Sequence, residues 1–149
     1  METLLDAAEN SAMINRINKL SADSKPLWGK LTVSQMLKHS EIGIRIAQGE
    51  IKLKRKFIGL LFGKFAKRSL MSDKPFGKNL PTDKTFLKFD DSSFEEAKQS
   101  LIDTLKMFQN KGENGITKET HPFFGELTTS EWDKLQYKHL DHHLRQFGV

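Results

Sequence analysis

Thr128-Thr-Ser-Glu131-Trp132-Asp-Lys-Leu-Gln-Tyr-Lys-His139-Leu-Asp-His142-His143-Leu-Arg-Gln146-Phe147 reads as one unbroken helix. Thr128 followed three residues later by an acid has the form of an N-terminal capping box, and neither proline nor glycine interrupts the run. At roughly 100° per residue, Trp132, Leu135, His139, His143 and Gln146 fall in one narrow sector, with Leu140, Leu144 and Phe147 in the adjoining one. The helix therefore has an apolar stripe to bury, with a histidine pair at its edge. Such a stripe needs other helices to cover it, and the rest of the chain supplies them.

Residues 2–20 repeat Leu5, Met13, Ile17 and Leu20 at helical intervals and stop at Ser21-Ala-Asp-Ser-Lys-Pro26. Thr32-Val-Ser-Gln35 is a second capping box, opening a helix that carries Met36, Leu37, Ile42, Ile44 and Ile46 as far as Gly49. A third follows Asp91-Ser92-Ser93, with Ser92 three residues before Glu95. It sets Phe94, Ala97, Leu101, Leu105 and Phe108 on one stripe and ends near Asn110-Lys-Gly112. Between the second and third helices, Phe57-Ile-Gly-Leu-Leu-Phe-Gly-Lys-Phe65 has the pattern of a short amphipathic helix. The remainder of that stretch, with Pro75, Gly77 and Pro81, reads as an ordered loop. Strand signals and internal repeats are almost absent. The expected fold is all-α: a single-domain four-helix bundle over 1–149, with a long crossover between its second and third helices.

Composition narrows the function classes. The chain has 149 residues, 37% hydrophobic and 29% charged, which suits one globular domain with a real core. It contains no cysteine, so disulfides, thiolate metal sites and a cysteine nucleophile are excluded. The N-terminus has neither the basic start nor the apolar run of a signal peptide, and no uncharged apolar stretch approaches the ~20 residues of a membrane span. The expectation is a cytoplasmic protein without a membrane span. Residues 51–68 hold seven cations (Lys52, Lys54, Arg55, Lys56, Lys64, Lys67 and Arg68) and no acid, within a chain of net charge +5. Mixed with Phe57, Phe62 and Phe65, that segment suggests either an anion-binding surface or, better, a solvated basic face over an apolar one packed on the bundle. There is no zinc-finger, phosphate-loop or other nucleic-acid motif, so specific nucleic-acid binding is not expected.

His139 and His143 lie four residues apart, so their imidazoles project from one face, one turn above the other. Two neutral imidazoles at that spacing converge on one divalent ion, and the best third ligand is His39, on the second helix beside Ile42 and Ile46. His142 flanks the same face and is the substitute ligand. The competing reading is structural: a polar helix edge, and a core histidine bonded to a carbonyl. A three-histidine shell with water would be open, as catalytic sites are. Nickel, zinc, iron and manganese all suit nitrogen ligands. Gln146, one turn past His143, is placed to orient a ligand as a supporting residue. Asp141 points away from His139 and is not cast as a base. His121, before Pro122-Phe-Phe-Gly125, is the remaining candidate for acid–base catalysis, although a turn-capping role suits it better.

These residues carry a resemblance. Trp28-Gly-Lys-Leu-Thr-Val-Ser-Gln-Met-Leu-Lys-His39 and His139-x-x-x-His143-x-x-Gln146 are similar to the tryptophan-to-histidine segment and last-helix signature of the DinB/YfiT-like superfamily. His121-Pro-Phe-Phe-Gly125 through Phe147-Gly148 further resembles a bacterial subgroup of unassigned function. The resemblance implies an up-down-down-up bundle, a homodimer, and a divalent metal held by His39, His139 and His143. It also implies a metal-dependent enzyme acting on a small-molecule substrate: a transferase using a low-molecular-weight thiol, or a hydrolase. The alternatives are a non-catalytic ligand-binding bundle, or a protein that attaches to an anionic surface through residues 51–68.

Overall fold

The computed structural model describes residues 2–53, 57–72, 74–78, 82 and 84–149, without the side chains of 57–62 and 64. It contains five α-helices: α1 (Ala7–Asn18), α2 (Val33–Ala47), α3 (Phe57–Met71), α4 (Phe94–Lys111) and α5 (Thr129–Gln146). Two short 3-10 turns, Lys84–Leu87 and Gly112–Gly115, complete it, and no strand occurs among the described residues. The protein is all-helical, as its periodicity predicts.

Three helix starts are set by reciprocal capping, which satisfies backbone N–H groups that have no partner inside the helix. Thr32 with Gln35, Ser93 with Glu96, and Thr128 with Glu131 each form both hydrogen bonds of a capping box. The second of these corrects the expected pair Ser92 and Glu95 by one residue. Ser92 instead donates its backbone N–H to the Asp90 carboxylate.

The first helix is shorter than expected. It begins at Ala7, where the Asp6 carboxylate accepts from the N–H groups of Ala8 and Glu9. The residues before it are clasped to α5 by Asp133, whose carboxylate accepts from the Thr3 hydroxyl and, at 2.8 Å, from the Leu4 N–H. Asn10 adds a second clasp, donating to the carbonyls of Leu4 and Leu105. Local periodicity has no access to contacts made across the whole chain.

Helix α2 packs chiefly on α4 and α5, α1 on the same two, and α3 on α5. Met13, Ile17, Met36, Leu37, Ile44, Leu101, Leu105, Phe108, Trp132, Leu140 and Leu144 meet in one core and are almost wholly buried. The buried positions of α4 include the predicted stripe from Phe94 to Phe108.

Helix α3 extends past the expected short helix to Met71. Lys138, itself buried, donates to the carbonyls of Leu70, Ser72 and Lys74 at 2.8–2.9 Å. Its ammonium satisfies carbonyls that the end of α3 leaves without helical partners and ties the crossover to α5. Gly63 allows α3 to approach the loop before α5, because a Cβ there would meet the Phe123 carbonyl oxygen at 2.5 Å. Of the predicted basic segment, Lys54, Arg55, Lys56 and the side chains of Phe57, Leu61, Phe62 and Lys64 lie outside the described residues, as does Pro81 in the loop. Phe65 departs from the expected buried apolar face, being 78% exposed. Among the described residues, no helix is long and apolar enough to cross a membrane.

Candidate metal centre

His39 from the middle of α2 and His139 and His143 from the last turns of α5 come together, although His39 is separated from the pair by about a hundred residues. Their ring centroids form a nearly equilateral triangle, 4.8 Å between His39 and His139, 4.6 Å between His39 and His143, and 4.8 Å between His139 and His143. The Nε2 atoms of His39 and His139 are 2.9 Å apart. Ligands with metal–nitrogen bonds of about 2.0–2.1 Å lie ~2.9 Å apart at a right angle and ~3.3 Å apart at the tetrahedral angle. The described cluster consists of histidines alone, with no carboxylate.

The surroundings fix which nitrogen faces inward. His39 Nδ1 is 3.2 Å from the Phe86 carbonyl oxygen, which only accepts, so Nδ1 carries the proton and Nε2 keeps its lone pair. His143 Nδ1 is 2.8 Å from Gln146 Oε1. Gln146 is oriented in turn, because its Nε2 donates to the Trp28 carbonyl at 2.7 Å while the Leu27 N–H donates to its own backbone carbonyl. The amide oxygen therefore faces His143, which must donate from Nδ1 and present Nε2 to the centre. Gln146 thus holds the His143 ring from the side away from the centre.

Burial keeps the imidazoles neutral. It lowers the His39 pKa, and it lowers that of His143 to about 3, with repulsion from His39 adding to the effect. His139 falls well below the ordinary histidine range for the same reasons, burial first and then its histidine neighbours. Neutral imidazole is the ligand form, so burial favours the state of the rings that can bind an ion.

Two contributors have no signal in the spacing of the histidines. Phe86, in the 3-10 turn Lys84–Leu87, supplies the carbonyl for His39 and sets its ring 5.3 Å from His39 and 6.1 Å from His139. Gly43 faces α5 so closely that a Cβ there would lie 3.0 Å from both His139 Nδ1 and Gln136 Oε1. A glycine inside an apolar helix is itself a cue for close approach, and it could have been read that way.

His142 turns outward instead of joining the cluster. Its ring lies 5.8 Å from Trp28 and 6.2 Å from Phe76. Asp141 is engaged by Arg16 at 2.8 Å and Arg145 at 2.9 Å, in keeping with its exclusion as a base. His121 is also outside the cluster. Its Nδ1 accepts from the N–H groups of Phe123 and Phe124, both at 3.1 Å, and its ring packs on Phe124 and Trp132. Burial lowers its pKa to about 4, so the ring is neutral and caps the turn. Two of the described cations of the basic segment have acidic partners: Lys52 pairs with Glu119 and Lys67 with Glu131, each at 2.8 Å.

A family model described as "Protein of unknown function (DUF1569)" matches residues 2–148. No curated protein and no solved structure matches the chain.

Proposed function

The chain belongs to the DUF1569 family of unknown function, and from that premise we propose that it is a divalent-metal-dependent enzyme whose ion is held by His39, His139 and His143. The observation that carries this reading is the convergence of three neutral imidazoles, two of them with Nδ1 engaged by an oxygen acceptor so that Nε2 is left for a ligand. The donor set suits nickel, zinc, iron or manganese, all of which accept imidazole nitrogen. An ion bound by neutral ligands alone keeps its full positive charge, lowering the pKa of a coordinated water or thiol and stabilising developing negative charge.

The chain's own residues hold and shape that centre. Gln146 fixes the His143 tautomer, the Phe86 carbonyl fixes that of His39, and Gly43 leaves room for the His139 ring. The Phe86 ring packs beside His39 and His139. His121 is assigned a structural role in this reading, since its Nδ1 caps a turn. The DinB/YfiT-like, up-down-down-up four-helix bundle is part of this proposal, with α1, α2, α4 and α5 as its helices and α3 within the crossover. The cytoplasmic location, the homodimer and the small-molecule substrate, a low-molecular-weight thiol for a transferase or a water-cleaved molecule for a hydrolase, rest on the sequence and its resemblance.

The test is elemental analysis of untagged protein alongside His39→Ala and His143→Ala. Metal stoichiometric with the chain, lost in both variants that remain folded by circular dichroism, is the expected result. Equal metal content in all three proteins would overturn the proposal.

A further inference from the structure

On a flank of α5 adjoining the three histidines, the crossover, Trp28 and α5 line a surface cavity of about 170 Å³. Its walls are aromatic, formed by Trp28, Phe76 and His142, and its cations are Lys74, Lys78, Lys138 and Arg145 against only two carboxylates, Glu2 and Asp141. We propose that this cavity binds a small organic anion, a flat aromatic ring bearing a carboxylate or phosphate group.

The charge balance points to an anion. Both carboxylates are occupied: Asp141 by Arg16 and Arg145, and Glu2 by Lys134. Lys138 directs its ammonium to three backbone carbonyls. Lys74 and Lys78 meet no carboxylate among the described residues, and Lys78 holds its ammonium 4.4 Å from the centroid of the Trp28 ring. Arg145 engages Asp141 through Nε at 2.9 Å. Among the described residues the rim thus carries excess positive charge, with donors suited to carboxylate or phosphate oxygens.

The size and walls point to a ring. A cavity of about 150 Å³ accommodates a benzene-sized molecule. The rings of Trp28 and Phe76 both meet His142, giving an aromatic lining that a bare inorganic ion would leave unused. A long polyanion would instead need an extended basic stripe, whereas this charge is gathered around one concavity.

This inference goes beyond the metal reading and does not depend on it. His142 stands between the cavity and His143, with ring centroids 5.1 Å apart, so an occupant would lie beside the proposed centre without coordinating it.

The experiment uses the full chain after chelator treatment, which separates its outcome from that of the metal proposal. Phenyl phosphate, inorganic phosphate and phenol are titrated separately while the two indole N–H signals are followed by NMR. Phenyl phosphate should shift the Trp28 signal saturably and leave Trp132, buried in the core, unmoved. Inorganic phosphate should bind more weakly and phenol hardly at all. The exposed double variant Lys74→Gln/Lys78→Gln should lose roughly tenfold in affinity for phenyl phosphate, the worth of a good charge-assisted contact. An unmoved Trp28 signal at millimolar phenyl phosphate would overturn the proposal. So would equal affinity in the double variant, or inorganic phosphate binding as tightly as phenyl phosphate.

Discussion

Gln146 and Gly43 show how single side chains decide whether three histidines can act as one site. Gln146 contributes no ligand atom, yet its amide oxygen holds the proton of His143 on Nδ1 and its amide nitrogen is anchored on Trp28. Gln146→Ala should therefore weaken metal affinity by roughly 10–100-fold, the usual cost of losing such a partner, with the stoichiometry at saturation unchanged. Competition with a chelator of known affinity measures this directly. Gly43→Ala separates stability from binding. An interior glycine costs a helix about 1 kcal/mol relative to alanine, so on propensity alone α2 should gain. The added Cβ would instead press on His139 Nδ1 and Gln136 Oε1, both 3.0 Å away. The expected outcome is a helix that stays folded by circular dichroism with weakened metal binding. Unchanged affinity would mean that the His139 ring has room to retreat.

At the scale of elements, the arrangement depends on how α5 holds the segments around it. His121 caps the turn that leads into α5, and burial lowers its pKa to about 4 from an ordinary 6.5. Between those values the unfolded chain binds a proton that the folded chain does not, so folding stability falls as pH drops from about 6.5 toward 4 and is flat above that window. The full effect is about 3 kcal/mol at most, since each tenfold change in proton affinity is worth ~1.4 kcal/mol. Urea denaturation across this range should show the loss, and His121→Asn should remove only its own share, leaving the part due to buried His39, His139 and His143, whose pKa values burial also lowers. Lys138 serves the other end of the crossover by bonding three carbonyls that would otherwise be left open. Hydrogen bonds from a charged group contribute about 1.5–3 kcal/mol each, and they are not independent. Lys138→Met should therefore destabilise the protein by several kcal/mol, with hydrogen exchange rising first at the end of α3.

Across the whole molecule, His39 and the α5 pair join two helices that lie far apart in the chain, so an ion bound there would act as a cross-link in the folded state only. At a free metal concentration 100 times its Kd, mass action adds about 2.7 kcal/mol of stability. For a chain of this size that corresponds to a rise in Tm of roughly 5–10 °C, reversed by chelator and absent in His39→Ala. Calorimetry with and without metal checks it. Much of this architecture is legible in the sequence because it is encoded locally. The capping boxes at Thr32 and Thr128, the stripe from Phe94 to Phe108 and the shared face of His139 and His143 all follow from side chains within a turn or two of one another. The start of α4 is ambiguous by one residue because adjacent serines, each three before a glutamate, offer the same pattern. The first helix begins later than its periodicity suggests because Asp133 captures Thr3 and Leu4 from across the fold. Periodicity specifies which face of a helix must be covered, but not which partner covers it or at what rotation. The sequence by itself therefore determined the helices and the histidine pair. Only packing decided that α2 turns His39 toward that pair, that the Phe86 ring lies beside it, and that His142 lines an adjoining aromatic, cationic cavity, because those distances are set by the whole core at once.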